Sequence, residues 1–209
     1  MEKAILFDID GTLLDTYNFV FDAVKYTTAF YNHSYPSDIN IKTALGKPLL
    51  EFYQTLIPEG NMIELSETHK QFQQENFHLV KPFKATKEVL KTLKDKGFLL
   101  AGVSNRLGYS LVYSLKVTKV ARFFDVVVSA DDVKNPKPHK EHVLTALGKL
   151  GVEPINAYMV GDTGDDILAG KNAGVKTVGV TYGFLGKDIA QYNPDFIIDD
   201  IEELLEILS

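Results

Sequence analysis

The sequence contains no cysteine, so disulfides, thiolate metal sites and cysteine nucleophiles are excluded, and nothing in the chain needs an oxidising compartment. Basic residues are not in excess either. The 22 Lys and Arg against 28 Asp and Glu give a formal net charge of −6. That balance argues against nucleic acid as the main partner, because no cationic surplus is available to neutralise a phosphate backbone. No apolar run approaches the ~20 residues of a membrane span. The first eight residues pass directly into a strand-like stretch, without the basic start and apolar centre of a secretion signal. A soluble, cytoplasmic protein with no membrane partner is therefore expected. Internal repeats and low-complexity tracts are also missing, and His33, His69, His78, His139 and His142 show no metal-ligand spacing. What remains is a 209-residue chain, 45% hydrophobic, long enough to bury one large core or a core plus an insertion.

From Lys84 onward, helix-like and strand-like segments alternate. Residues 85–96 are amphipathic, with Val89, Leu90 and Leu93 on one face and Gly97 as a stop. Residues 98–103 then read as a strand, followed by apolar runs at 126–128, 157–160, 177–180 and 196–198. Helical candidates lie between and after them at 108–119, 139–150, 165–173 and 201–208. This alternation predicts an α/β fold with a parallel sheet covered by helices on both faces. Residues 17–80 break the rhythm. The stretches 17–31, 45–56 and 61–80 are helix-like, with no convincing strand among them. They read as an inserted all-helical cap over 16–81, with hinges near Asp15–Thr16 and Lys81–Pro82, on a core made of 1–15 and 82–209. A helical layer packed permanently on the sheet is the alternative. Tyr26, Phe30, Phe52 and Tyr53 are assigned to the interior of those helices.

The run Ala4-Ile5-Leu6-Phe7 reads as a buried strand, rigid enough to aim the residue at its tip. That residue is Asp8, a candidate nucleophile. Asp10 lies on the same side if the extended backbone continues, and two converging carboxylates favour a hard divalent cation, Mg²⁺, together with phosphate. Gly11 permits a sharp turn and lets backbone N–H groups approach an anion, and Thr12 can donate a hydroxyl. A solvated Asp-Gly turn is the plain alternative.

Ligands of open α/β sheets bind beyond the carboxyl ends of the strands. At those ends stand Ser104 and Asn105, both able to donate to a phosphoryl oxygen, with Arg106 beyond them as a possible anion contact. Lys137 sits between Pro136 and Pro138, which restrict the backbone and fix one cation; Lys134 is the competing lysine. Asp162 ends another strand, and Asp166 follows one helical turn later, so both can face one pocket and join Asp8 and Asp10 around a metal. Asp165 reads as a solvated acid favoured by the helix dipole. In the helical stretch, Lys47 in the loop Leu45-Gly46-Lys47-Pro48 could meet an anionic leaving group.

Taken together, Asp8-Ile9-Asp10-Gly11-Thr12, Ser104, Lys137 and Gly161-Asp162 with Asp166 resemble the four motifs of the haloacid dehalogenase-like hydrolase superfamily. The stretches GDTGDDILAGKNAG at 161–174 and 130–138 are similar to its phosphoglycolate phosphatase and bacterial pyrophosphatase branch, whose helical cap follows the first strand. The resemblance implies a Rossmann-like core, Asp8 as nucleophile, Asp10 as general acid and base, and Mg²⁺ held by Asp8, the Asp10 carbonyl and Asp162. His139-Lys140 departs from the pattern, where a further proline is common. The expected reaction is hydrolysis of a small phosphorylated metabolite, a phosphate monoester or pyrophosphate, by a monomer or homodimer. A β-phosphoglucomutase-like phosphomutase is the first alternative, but such relatives carry a histidine where Phe19-Val20-Phe21 stands here. Dehalogenation does not need the second acid, Asp10. C–P bond cleavage would need an amine such as Lys47, and a phosphate- or nucleotide-binding regulator is the non-enzymatic alternative.

Overall fold

All four side chains of Ala4–Phe7 are fully buried, as expected of a strand covered on both faces. The computed structural model describes residues 2–208; Met1 and Ser209, the outermost residues of the expected core, lie outside the described residues. In chain order the strands are β1 (Ala4–Phe7), β2 (Leu14–Asp15), β3 (Lys81–Pro82), β4 (Leu99–Val103), β5 (Val126–Val128), β6 (Ala157–Gly161), β7 (Lys176–Val180) and β8 (Phe196–Ile198). Six of them form a parallel sheet in the order β5-β4-β1-β6-β7-β8. Ala4 lies opposite both Leu99 and Ala157, and Phe7 opposite both Gly102 and Val160. Strand order reverses at β1, so the crevice beyond its carboxyl end is the natural ligand position.

The helices are α1 (Tyr17–Phe30), α2 (Asp38–Ala44), α3 (Leu49–Leu56), α4 (Met62–Glu75), α5 (Thr86–Asp95), α6 (Gly108–Val117), α7 (Glu141–Leu150), α8 (Gly164–Ala173) and α9 (Leu204–Ile207). Successive side chains of a strand point to opposite faces. Ile5 and Phe7 therefore pack with Leu90 and Leu93 of α5, Leu111 of α6 and Leu204 of α9. Ala4 and Leu6 pack on the other face with Val143 and Leu147 of α7 and Ala169 of α8. This is the parallel α/β arrangement predicted by the alternation, and the Rossmann-type core implied by the family resemblance.

Helices α1 to α4 lie between β2 and β3. Those two short strands pair antiparallel, Leu14 with Pro82 and Asp15 with Lys81, so the two connections to the insert are zipped together. No strand was expected in either place, because two residues are too few to show a period. The expected helix at 45–56 starts only at Leu49, and the expected helix at 61–80 stops at Glu75, before a 3₁₀ turn at Phe77–Leu79. Helix α2 was not expected at all. Its cap is nevertheless regular, with Ser37 Oγ accepting from Asn40 N–H at 3.2 Å. The segment 201–208 also begins as a 3₁₀ turn, at Ile201–Glu203.

The insert has its own hydrophobic cluster, including Phe21, Val24, Ile41, Phe52, Tyr53 and Leu65, joined by Phe184 from the loop after β7. Tyr26 and Phe30 were assigned to this interior and are not there. They are 43% and 61% exposed, and Tyr26 lies beside Phe30 and Phe72. Among the described residues no helix is long and apolar enough to cross a membrane.

Candidate active site

The carboxyl ends of β1, β4 and β6 lie side by side and present Asp8, Ser104 and Asp162. Backbone hydrogen bonds extend the ladder past the strands, from Asp8 N–H to the Val160 carbonyl at 2.9 Å and from Ser104 N–H to the Val128 carbonyl at 3.0 Å. Into this row reaches Lys137, 3% exposed. Its Nζ donates to Asp8 Oδ1 at 2.6 Å, Asp166 Oδ1 at 2.7 Å and the Val103 carbonyl at 3.1 Å. The loop that carries it is tied down by Glu141, whose carboxylate accepts Lys134 N–H at 2.8 Å and Asn135 N–H at 3.1 Å. The Lys134 side chain itself is exposed.

Asp166 occupies the third position of α8, where its Oδ2 accepts Thr163 N–H at 3.0 Å and Thr163 Oγ1–H at 2.6 Å in a capping box. Asp162 Oδ1 accepts Thr12 Oγ1–H at 3.1 Å, and Oδ2 accepts Phe184 N–H at 2.8 Å. Gly11 packs against this carboxylate with φ of +80°, and a β-carbon there would run into Asp162 and Phe184.

The electrostatics follow from burial. Desolvation pushes the Asp8 carboxyl well above its ordinary range; Lys137 pulls it back, and Asp166, Asp162 and Asp10 push it further up. Burial and Asp166 raise Asp162 to about 7, against the Phe184 N–H, Thr12 and Lys137. Burial alone would lower Lys137, but Asp166 and Asp8 outweigh it and hold the ammonium charged. Carboxylate oxygens of Asp8, Asp162 and Asp166 lie within 4.8 Å of one another, all buried. Were all three carboxylates ionised, the single ammonium would leave two negative charges uncompensated, the charge of one divalent cation. The donor set is all oxygen, which suits Mg²⁺.

Asp10 stands outside that group. Its Oδ1 accepts Arg106 Nη1–H at 2.9 Å. The same guanidinium donates from Nη2 to Ser110 Oγ at 2.6 Å and Ser114 Oγ at 2.9 Å, and lies 5.2 Å over the Phe19 ring. Above Asp8 and Asp10 is a cavity of about 260 Å³, closed on the far side by the insert. Asn105 ties the two sides together: its Nδ2 donates to the Gly46 carbonyl of the insert and, at 3.0 Å, to the Lys137 carbonyl, while its Oδ1 accepts Lys137 N–H at 3.0 Å.

The family described as haloacid dehalogenase-like hydrolase matches residues 5–180, a span that contains every strand tip just described. The chain belongs to that family. Among curated proteins it is 37% identical to the pyrophosphatase PpaX of Anoxybacillus flavithermus, over 99% of this chain and 97% of that one. It is 36% identical to the PpaX of Halalkalibacterium halodurans, with the same shares covered. Among solved structures, a predicted phosphoglycolate phosphatase from Haemophilus somnus superposes with a TM-score of 0.92 at 26% identity, covering 100% of this chain and 98% of that one. These relatives place the chain in the phosphatase branch of the haloacid dehalogenase-like hydrolases.

Several side chains of this family member sit differently from the sequence expectation. The strand stops at Phe7, and Asp10 lines the cavity just ahead of the turn at residues 11–13, bridged to Leu14. Thr12 gives its hydroxyl to Asp162 and not to open space. Gly11 N–H is used by the Leu14 carbonyl at 2.8 Å, so it does not point at an anion. Asn105 has its amide committed to Gly46 and Lys137, and Arg106 is committed to Asp10. Lys47 lines the cavity, but its ammonium donates to Thr55 Oγ1 at 3.0 Å. Asp165 is not a freely solvated acid: burial, with Asp166, raises it to about 6 against the pull of Lys137 and Lys47. Ser104 lines the cavity, and its Oγ accepts Arg106 N–H at 3.2 Å.

Sequence reading missed Phe184, Tyr182 and a stripe of α4. Tyr182 donates to the Thr12 carbonyl at 2.9 Å. Both aromatics follow the end of β7, a strand tip carrying no acid to draw notice.

Proposed function

We propose that this protein is a Mg²⁺-dependent phosphatase that hydrolyses a small phosphate monoester or pyrophosphate through an aspartyl-phosphate on Asp8. The observation that carries this reading is the Asp8 carboxylate at the tip of β1, paired with Lys137 and grouped with Asp162 and Asp166. Relatives named pyrophosphatase and phosphoglycolate phosphatase support the same reaction class.

Asp8 attacks phosphorus, so that its oxygen–phosphorus bond forms as the bond to the leaving oxygen breaks. Asp10 hands its proton to that oxygen. Water then attacks phosphorus, Asp10 takes the proton, and phosphate departs from Asp8. Arg106 is the positioning residue for Asp10, anchored by Ser110 and Ser114. The Lys137 ammonium and the Ser104 hydroxyl stabilise charge on the transferring group, where most of the rate enhancement arises. Asp8 and Asp162 would hold Mg²⁺ with the Asp10 carbonyl, and Asp166, ion-paired with Lys137 and held in the capping box of α8, would steady the site from behind. When bound, the ion neutralises charge on the phosphoryl group and its leaving oxygen.

In this reading residues 16–81 act as the cap that excludes water from a core of 1–15 and 82–209. The enzyme works as a monomer or homodimer in the cytoplasm on a small phosphorylated metabolite. The test is Asp8→Asn. Turnover should fall by roughly 10⁴-fold or more, with circular dichroism and melting unchanged in character; near-normal Mg²⁺-dependent hydrolysis by this variant would remove Asp8 as the nucleophile.

A further inference from the structure

Among the described residues, buried side-chain polar atoms without a hydrogen-bond partner are few: the hydroxyls of Thr16, Thr27 and Ser66, and both ring nitrogens of His142. Such an atom costs stability until something pairs with it. The Ser66 hydroxyl belongs to a stripe of α4, with Lys70 and Gln73, that lines the cavity, where a bound molecule can reach it. His142 is out of such reach. It is fully buried in the first turn of α7, just beyond the Lys137 loop. The other buried histidine, His69, shares a hydrogen bond of 2.9 Å with the Tyr53 hydroxyl, so an unpaired ring is particular to His142.

What surrounds His142 is the machinery of the site. Burial lowers its ring to about 4, and the Lys137 ammonium acts in the same sense; the backbone of Ser129 and of Ser104 and the Glu141 carboxylate oppose them. Near pH 7 the ring is therefore neutral and carries one N–H. A backbone group that favours the protonated ring does so through its carbonyl oxygen. The two carbonyls differ. That of Ser129 already accepts Asp132 N–H at 3.1 Å, whereas among the described residues that of Ser104 accepts no hydrogen bond. On its other sides Ser104 is held. Its N–H goes to the Val128 carbonyl, and the carbonyl before it, of Val103, accepts the Lys137 ammonium. Its Oγ accepts Arg106 N–H, which leaves the hydroxyl hydrogen for a phosphoryl oxygen.

We infer that His142 is a positioning residue for phosphoryl transfer, its ring N–H closing on the Ser104 carbonyl when the Ser104 hydroxyl engages the phosphoryl oxygen. The inference rests on the phosphatase reading above. A hydrogen bond withheld in the resting protein and made as charge develops on the phosphoryl group favours the transition state over the ground state, which is the condition for raising kcat. The unpaired ring is what the resting protein gives up for it. Stability and rate should therefore separate when the ring is replaced.

The experiment compares wild type with His142→Leu, which fills the space without polar atoms, and with His142→Asn and His142→Gln, which restore a donor near one or the other ring nitrogen. kcat and KM are measured with Mg²⁺ for p-nitrophenyl phosphate and inorganic pyrophosphate. Calorimetry measures binding of inorganic phosphate and of orthovanadate, which takes up the five-coordinate geometry of phosphoryl transfer. In His142→Leu, kcat and kcat/KM should fall together by about three- to tenfold, the worth of one neutral hydrogen bond, with KM within about twofold and Tm equal to or above that of wild type. Orthovanadate binding should weaken by the same factor and phosphate binding by less than about twofold. One of the two amide variants should bring kcat back to within about twofold of wild type. An unchanged kcat in His142→Leu overturns the inference. So does a lowered Tm or a failure to fold, which makes the ring an ordinary part of the core, and so does a loss of rate that neither amide recovers. If wild type hydrolyses neither compound while His142→Leu still weakens orthovanadate and not phosphate, the positioning role stands and the phosphatase reading falls; if that selectivity is absent as well, both fall.

Discussion

At the tips of β1, β4 and β6, the polar side chains are buried and tightly partnered. Both oxygens of Asp162 and both of Asp166 accept hydrogen bonds, and the Lys137 ammonium makes three. Across the cavity, the insert is the reverse: Ser66 lacks a partner, Lys70 and Gln73 are uncommitted, and Ile39, Ile63 and Leu50 stand 75%, 64% and 53% exposed. A transferring phosphoryl group needs charges held in fixed positions, and the sheet accepts the cost of burying them to fix those positions. Recognition of the leaving group needs partners left open for it.

The most forceful way to break this contrast is Lys137→Met. It leaves Asp8 and Asp166 facing each other without their cation, and losing one partner of a buried pair costs about 3–5 kcal/mol. Tm in the absence of divalent ions should drop by about 6–20 °C, and added Mg²⁺ should recover part of the loss. A drop under about 2 °C would mean that the strand tips are not held together by the buried ammonium. Smaller is the effect of Asn105→Ala, which cuts the tie between Gly46 and the Lys137 loop. Stability should fall by about 1–3 kcal/mol, and kcat/KM should fall with it by about tenfold. If urea unfolding records the loss while the kinetics stay untouched, the two regions work independently.

The mildest test uses pH and belongs to the insert. Burial lowers His69 to about 3 from 6.5, so between those values the unfolded chain binds the proton and the folded chain does not. Its contribution to stability is therefore complete above about 6.5 and is lost as pH falls toward 3. The groups facing it are the Tyr53 hydroxyl, the Phe52 ring, Arg106 and Lys70. The difference between Tm–pH curves of wild type and His69→Gln should slope across this window and flatten above it. A flat difference throughout would mean that the ring is not held neutral by burial.

The same contrast decided what could be read from the chain. A buried parallel strand is a short apolar run with a fixed tip, so Asp8, Ser104, Lys137 and Asp162 advertise themselves by following such runs or by standing between prolines. The insert carries no comparable marks. Helix α2 has only Ile39, Ile41 and Ala44 as apolar residues in seven positions, and Ile39 faces solvent. The stripe of Ser66, Lys70 and Gln73 looks like a solvated helix face, because polar residues at helical spacing do not reveal whether they face water or a cavity. Arg106 was expected to meet a ligand anion, yet the anion it meets is Asp10. No local pattern distinguishes the two, since the pairing joins residues from different strands.

Phe184 bears on how such an enzyme could be rebuilt. Its N–H holds Asp162, while its ring belongs to the hydrophobic cluster of the insert. A chimera that exchanged only residues 16–81 with a relative would leave this ring behind, packed against foreign helices. Any misfit there would be transmitted through one peptide unit to the Asp162 carboxylate. The exchangeable cassette is thus larger than residues 16–81, and Phe184 travels with it.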